Sequence, residues 1–124
     1  MNDLAERECV PCRGGVPPLT REAIAPLLEL LEPGWRVRDR PHGEGVVLSL
    51  ERTYRYANFA EAMTAAVAIG EMAERQRHHP DLHVAWGRLG VEVWTHKIGG
   101  LTESDFIFAA KCDAIAATLA TPPT

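Results

Sequence analysis

The sequence has few cysteines, few aromatic side chains and no long apolar run, and two of these shortages exclude a class of protein. Three cysteines in 124 residues is an odd number, which does not suit the paired disulfide framework of a small secreted domain. No stretch approaches the roughly 20 uninterrupted apolar residues that a membrane-spanning helix needs. The first residues carry charges of both signs and no apolar segment, so we expect no secretory signal and a cytoplasmic location.

An excess of positive charge is also missing. The chain has 13 Lys and Arg against 17 Asp and Glu, a net charge of −4, whereas direct nucleic acid binding requires a clustered basic face. Its hydrophobic content of 46% is sufficient for one folded domain of ordinary size. We therefore expect a globular domain that binds neither nucleic acid nor a membrane.

The chain divides into a short arm and one domain. Residues 1–19 include a Gly- and Pro-rich run that resists regular structure, so we expect a flexible N-terminal arm before a single domain over residues 20–120. Cys9 and Cys12 in the arm have the spacing of half a zinc site, but a closed structural site needs four ligands. No metal is predicted there, and free thiols are the favoured interpretation.

Capping signals and apolar spacing predict three helices. Thr20, Asn58 and Thr102 each offer a side-chain N-cap, and the last two are followed three residues later by an acidic residue, as in a capping box. We expect the helices to end near residues 33, 77 and 119. The first turn of the first helix is expected to be irregular, because Pro26 removes a backbone hydrogen bond.

Alternating apolar and polar residues predict four strands. The first two cover residues 35–38 and 46–56, and the last two form a hairpin around a turn at residues 87–88, which places Trp86 opposite Leu89. The element order α-β-β-α-β-β-α predicts an α+β fold. We expect a two-layer sandwich in which three helices cover a four-stranded antiparallel sheet.

The predicted central helix, residues 58–77, is apolar on two faces. Phe59 and Met63 belong to one apolar stripe, and Ala65, Ile69 and Met72 belong to another. The sheet of a small domain covers only one face of a helix. We therefore expect the other face to pack against a second subunit and to give a dimer or tetramer.

Three histidines near the predicted hairpin form the candidate site. His78 and His79 follow the central helix directly before Pro80, and His96 ends the last strand. An imidazole titrates near ~6.5 and can donate or accept a proton at neutral pH. Two alternatives remain open: a surface pair at 78–79 that faces the negative end of the helix dipole, or a three-histidine zinc site.

Three further residues are placed to assist the histidines. Asp105 can hydrogen-bond His96 or cap its own helix, and a carboxylate has two oxygens with which to do both. Glu74 lies one helical turn before His78 and can orient it. Trp94 shares the face of His96 and offers a surface on which a flat ring can stack, although interface packing is its more common role.

These residues resemble the signature of the pterin-4a-carbinolamine dehydratases. The pattern is Glu74-x-x-x-His78-His79-Pro80, followed by Trp86, His96 and Asp105. Residues 19–24, 33–35, 54–59 and 100–105 also resemble family segments, and the arm with Cys9-x-x-Cys12-Arg-Gly-Gly is similar to that of bacterial members. The resemblance covers nearly the whole chain.

The resemblance implies a hydro-lyase, 4a-hydroxytetrahydrobiopterin dehydratase. Such an enzyme removes water from 4a-hydroxytetrahydropterin to give quinonoid dihydropterin, which recycles tetrahydrobiopterin after aromatic amino acid hydroxylation and couples it to phenylalanine hydroxylase. It implies that His78, His79 and His96 are the catalytic residues, oriented by Glu74 and Asp105, without metal or cofactor. The expected substrate-binding residues are His78, His79, Pro80, Thr95, His96, Lys97 and Ile98, to which the residue pattern adds Trp94.

One departure and one alternative accompany the resemblance. Arg77 stands where animal members have an acidic residue, and a neighbouring guanidinium disfavours a charged imidazole, so we expect a shifted pH optimum. Other members of the family act through protein contacts, as a transcriptional coactivator or as assembly helpers for the carbon-fixing carboxylase. A non-catalytic binding protein of the same fold is therefore the alternative function.

Overall fold

The computed structural model describes residues 3–9 and 17–119, and its order of elements confirms the predicted α+β class. A short 3-10 turn, Leu4–Glu6, precedes the main elements. These are α1 (Arg21–Glu29), β1 (Arg36–His42), β2 (Gly45–Arg55), α2 (Phe59–Gln76), β3 (Asp81–Ala85), β4 (Arg88–Val93) and α3 (Glu103–Leu119).

The four strands form one antiparallel sheet in the order β1-β2-β4-β3. This order places β2 and β4 in the centre, because each is paired on both sides. Helix α2 packs against β3 and β4, and α3 packs against β2. The core under the helices includes Leu50, Tyr54, Leu89, Val91 and Val93, all of which are buried. The predicted two-layer sandwich is confirmed.

Side-chain caps begin α1 and α2 at the predicted positions. Thr20 accepts a hydrogen bond from the backbone N–H of Ala23 at 3.2 Å, and Asn58 accepts one from Glu61 at 2.9 Å. Helix α3 begins one residue after the predicted cap Thr102. These local signals positioned the helix starts because each cap satisfies a backbone donor that the helix itself leaves without a partner.

Helix α1 differs from its predicted form. It runs as a regular helix through Pro26 and ends at Glu29, so the irregular first turn and the end near residue 33 are both wrong. Pro26 lies in the second turn, where it forgoes only the hydrogen bond to the carbonyl of Glu22. Strand β1 also exceeds its prediction, since it continues through Pro41 at the sheet edge, where a missing N–H is tolerated.

The hairpin of β3 and β4 turns one residue earlier than predicted. Ala85 pairs with Arg88, which leaves Trp86 and Gly87 as the turn residues, and Leu89 pairs with residue 84 rather than with Trp86. Gly87 adopts φ 74°, a conformation that glycine takes without steric cost. Trp86 is therefore 74% exposed at the turn. The register changes by two residues, so the apolar side chains keep their common face.

Helix α2 has a buried face and an exposed apolar stripe. Ala65 and Ile69 are fully buried, whereas Phe59, Met63 and Val67 are 48%, 39% and 55% exposed. These three residues, which we call the outer stripe, recur every four positions and lie on the outside of the domain. Among the described residues, none of the helices combines the length and the apolar content that crossing a membrane requires.

Part of the predicted arm packs against the helices. In residues 3–9, which we call the N-terminal segment, Leu4 is fully buried and Cys9 is buried. The ammonium group of Lys111 in α3 donates a hydrogen bond to the carbonyl of Ala5 at 2.9 Å. Cys12 lies outside the described residues.

Candidate active site

Helix α2 ends in a left-handed turn that directs His78 towards α3. Arg77 adopts φ 54° and ψ 38°, and the backbone N–H groups of Arg77 and His78 donate to the carbonyls of Glu74 and Ala73 at 3.4 and 3.2 Å. This is the hydrogen-bond pattern of a Schellman motif. Nε2 of His78 then lies 2.6 Å from Oδ1 of Asp105, and both side chains are buried.

Three groups bind the Asp105 carboxylate. Besides His78, the hydroxyl of Thr95 and the backbone N–H of Thr102 each donate to Oδ2 at 2.8 Å. Because an ionised carboxylate only accepts hydrogen bonds, Nε2 of His78 carries the proton of this pair. Nδ1 is consequently the ring nitrogen of His78 that is left for proton exchange.

The carboxylate serves a different histidine from the expected one. Asp105 caps its own helix as predicted, but its histidine partner is His78 and not His96. The reason is the alternation of side chains along an extended chain. Thr95 points towards Asp105, so the next side chain, His96, points away from this carboxylate.

His79 lies on the exposed side of the same turn. Its Nε2 is 2.5 Å from Oε2 of Glu74, and the two side chains are 60% and 76% exposed. Glu74 was expected to orient His78. The left-handed residue Arg77 turns the chain so that His78 faces α3, while His79 meets the last turn of α2.

His96 rests on the indole of Trp94. The two rings stack with centroids 4.0 Å apart and an interplanar angle of 23°. His42 meets the same indole edge-on at 5.2 Å, and the guanidinium of Arg40 lies 5.8 Å from its centroid. Trp94 is only 6% exposed. It therefore supports His96, which differs from the predicted role of stacking directly on a substrate.

Sequence reasoning missed two residues of this cluster, His42 and Arg40. They lie at the end of β1, and β2 brings them to Trp94 because it pairs with β1 on one side and with β4 on the other. No spacing along the sequence signals that contact. A correct length for β1 would have placed both residues in the sheet.

The two predicted binding segments meet at Asp105. His78, from the segment 78–80, and Thr95, from the segment 95–98, bind the two oxygens of its carboxylate. The second segment forms a tight loop in which the N–H of Thr95 donates to the carbonyl of Gly100 at 2.9 Å. Lys97 is exposed in this loop, and Ile98 and Pro80 are half-buried.

The histidine rings occupy three different environments. His78 is buried against Asp105 and Phe108, while His79 and His96 are exposed on separate partners. Within residues 3–9 and 17–119, no group of three or more His, Cys, Asp or Glu side chains is arranged to hold a metal ion. The arrangement presents one sheltered imidazole and two accessible ones, which suits proton transfer to and from a bound molecule.

The sequence matches a known family over most of its length. The family described as pterin 4 alpha carbinolamine dehydratase matches residues 17–115. A protein of Rubrobacter xylanophilus is 52% identical over 115 residues, which cover 93% of this chain and 100% of that protein. A protein of Rickettsia canadensis is 45% identical over 92% of this chain and 98% of its own length. Both are provisionally named pterin-4-alpha-carbinolamine dehydratases.

Two solved structures share the fold. A Brucella melitensis protein described as a transcriptional coactivator/pterin dehydratase aligns with a TM-score of 0.69 and 29% identity, over 80% of this chain and 98% of that one. A pterin dehydratase-like protein, described as a RuBisCO assembly factor in the alpha-carboxysome, aligns with a TM-score of 0.54 over 67% and 89% of the two chains. At 19% identity, the second comparison shows a likeness of fold alone.

Proposed function

The chain belongs to the pterin 4 alpha carbinolamine dehydratase family, and from that membership we propose that it removes water from 4a-hydroxytetrahydropterin to give quinonoid dihydropterin. The observation that carries the proposal is the buried pair of His78 and Asp105, 2.6 Å apart, which is followed directly in the chain by the accessible His79. In this role the protein recycles tetrahydrobiopterin for an aromatic amino acid hydroxylase, typically phenylalanine hydroxylase. The cytoplasmic location stays a prediction from the sequence.

The proposed reaction consists of two proton transfers and one bond cleavage. A base removes the proton from N5 of the pterin, and an acid protonates the hydroxyl on C4a. The C4a–O bond then breaks, water leaves, and the electron pair from N5 forms the C4a=N5 double bond. No electrons enter or leave, so the step needs only groups that donate and accept protons.

His78 and His96 perform the proton transfers in this proposal, and His79 holds the substrate. The bond to Asp105 fixes the ring of His78, so Nδ1 is its exchanging atom. Stacking on Trp94 fixes the plane of His96 while leaving its imidazole exposed. Glu74 orients His79, and the loop from Thr95 to Ile98 completes the binding site beside Pro80.

The test is stopped-flow dehydration of 4a-hydroxytetrahydropterin by the wild-type protein and by the variants His78→Ala, His79→Ala and His96→Ala. Because a positioned general acid or base contributes about 10²- to 10⁴-fold, we expect His78→Ala and His96→Ala to lower kcat by about that factor. His79→Ala should mainly raise KM. His83→Ala, which removes an exposed histidine on β3, is the matched control and should keep wild-type rates.

Two results would overturn the proposal. A wild-type protein that does not accelerate the dehydration is not this enzyme. Full activity in both His78→Ala and His96→Ala would move the proton transfers to other residues. Only the first result supports the alternative, namely a non-catalytic binding protein, which the exposed outer stripe of α2 favours.

A further inference from the structure

The N-terminal segment is hydrogen-bonded to the end of α2. Gln76 is the last residue of that helix and lies two positions before His78. Its Oε1 accepts from the backbone N–H of Cys9 at 2.9 Å, and its Nε2 donates to Oε2 of Glu8 at 2.6 Å. Both the acceptor and the donor group of this side-chain amide are therefore bound by the segment.

The same segment is also bound to the start of α3. The thiol of Cys9 lies 3.5 Å from the carbonyl oxygen of Ser104, the residue immediately before Asp105. Nη1 of Arg7 donates to Oε1 of Glu103 at 2.9 Å. One short stretch of chain thus contacts the residues next to both members of the His78–Asp105 pair.

The segment has its own anchors away from the site. Leu4 is fully buried, and the carbonyl of Ala5 accepts the hydrogen bond from Lys111, about two helical turns beyond Asp105 in α3. Burial of the leucine favours the docked state, because it removes an apolar side chain from water. The segment is therefore fixed to α3 independently of its bonds near the histidine.

The turn between α2 and His78 needs support of this kind. Arg77 adopts a left-handed conformation, with φ 54°, which is unfavourable for a residue with a Cβ and persists only where the surrounding structure holds it. Gln76 on one side of this residue is bound by the N-terminal segment, and His78 on the other side is bound by Asp105. Without the segment, the turn would lose the contacts of Gln76 and keep its two backbone hydrogen bonds, the bond of His78 to Asp105 and that of His79 to Glu74.

From these contacts we infer that the N-terminal segment positions His78 against Asp105, and that Gln76 is the positioning residue through which it acts. The inference rests on the proposed function, because it assigns the segment to the site that performs the dehydration. It predicts that loosening the segment lowers the rate of the chemical step while leaving substrate binding nearly unchanged.

The first test is Gln76→Ala, which removes the two hydrogen bonds that the Gln76 amide makes with the segment. Because small displacements of a catalytic group cost one to two orders of magnitude in rate, we expect kcat to fall about tenfold and KM to stay within about twofold. Glu61→Ala is the matched control. It removes a side-chain hydrogen bond to Ala57 at the opposite end of α2 and should leave kcat unchanged.

The second test loosens the segment through its anchor. Leu4→Ala should lower kcat about as much as Gln76→Ala does, since both changes detach the same element. Leu4→Met keeps the volume and the apolar character of the side chain, so it should restore wild-type kcat. If Leu4→Ala does not fold, Gln76→Ala decides alone, because that change creates no cavity in the core.

A readout without substrate separates this inference from the proposed function. The Nε2 proton of His78 is protected by its bond to Asp105, and NMR measures its exchange with water. We expect the exchange to be about tenfold faster in Gln76→Ala, the factor expected for loss of one or two hydrogen bonds, and unchanged in Glu61→Ala.

The inference is overturned if Gln76→Ala and any folded Leu4→Ala keep wild-type exchange. In an active enzyme, a rise in KM at constant kcat would also overturn it. If the wild-type protein has no dehydratase activity but Gln76→Ala still exchanges this proton faster than the wild type, the positioning inference stands and only the proposed function is rejected.

Discussion

Asp105 connects the start of a helix to an imidazole through one carboxylate. Oδ2 binds the backbone N–H of Thr102 and the hydroxyl of Thr95, and Oδ1 binds Nε2 of His78. Such a group fixes both the orientation of the histidine ring and the choice of the nitrogen that carries its proton. The helix cap supplies the rigidity, so stability and the proposed activity depend on the same side chain.

We predict that Asp105→Asn lowers both kcat and the free energy of unfolding. An amide can present N–H instead of oxygen to His78, which would favour the wrong tautomer and lower kcat by at least tenfold. Replacing an acceptor in a buried network should lower the free energy of unfolding by about 1–3 kcal/mol. Stopped-flow kinetics and urea titration measure the two effects. Asp39→Asn, at an exposed ion pair with Arg21, is the control for loss of a carboxylate, and wild-type kcat in Asp105→Asn would contradict the prediction.

At the scale of single residues, the sequence identified the candidate histidines more readily than the side chains that hydrogen-bond to them. The spacing of His78, His79 and His96 along the chain can be read directly from the sequence. The pairing of Asp105 with His78 depends on a left-handed backbone at Arg77, and an arginine gives no local signal for that conformation, as a glycine would. The alternation of side-chain direction between Thr95 and His96 could be read from the strand pattern. It would have shown that His96 is not the histidine partner of Asp105.

At the scale of elements, local signals located the helix starts and missed several ends and turns. Thr20 and Asn58 bind backbone N–H groups three residues away, so the sequence alone contains the information. The hairpin register was ambiguous because glycine suits either the first or the second position of a two-residue turn, depending on the turn type. The end of β1 was missed because Asp39, Arg40 and Pro41 show no apolar alternation at this sheet edge.

Helix α3 is fixed to the sheet by a half-buried polar cluster around Asp113. This carboxylate accepts hydrogen bonds from the indole of Trp35 at 2.9 Å, from the hydroxyl of Tyr54 at 2.6 Å and from Arg52 at 2.8 Å. Burial raises the pKa of Asp113 above its ordinary value, although these donors oppose the shift. Burial and the bond to Asp113 also raise the pKa of Tyr54, which keeps its hydroxyl proton available for donation.

We predict a large loss of stability in Asp113→Ala and a specific pH dependence in the wild-type protein. Removing the acceptor leaves three donors without a partner, so the free energy of unfolding should fall by about 2–4 kcal/mol.

A carboxyl whose pKa is raised by folding contributes its full stability below its ordinary pKa of about 4. That contribution is lost as the pH rises through the raised pKa. In urea titrations, the free energy of unfolding of the wild type relative to Asp113→Asn should therefore decrease as the pH rises from the ordinary pKa through the raised one. A constant or increasing difference would contradict this direction.

At the scale of the whole molecule, the outer stripe is the feature that a single domain does not explain. Phe59, Met63 and Val67 expose apolar surface along one side of α2. A second copy of the same helix would cover it, because a two-fold interface is formed by the same patch on both partners. Self-association through helix 58–77 therefore remains our proposal for this surface.

We predict that Met63→Glu dissociates the oligomer into monomers. A charge in the centre of the stripe would be buried without a partner in the assembly, and light scattering after size exclusion would show the lower mass. Ala117→Glu, at an exposed position of α3, should keep the wild-type mass. His96→Ala should also keep it while losing dehydratase activity. A wild-type protein that is already monomeric would refute self-association through this stripe.

The docking of the N-terminal segment onto α3 has a consequence for synthesis in the cell. Arg7 bonds to Glu103, and Lys111 bonds to the carbonyl of Ala5, so residues translated about a hundred positions apart are in contact. Translation is much slower than local helix or hairpin formation. Until α3 has been synthesised, Leu4 lacks the helix surface that buries it, and His78 lacks the carboxylate of Asp105. Both side chains gain their partners only after α3 has emerged from the ribosome.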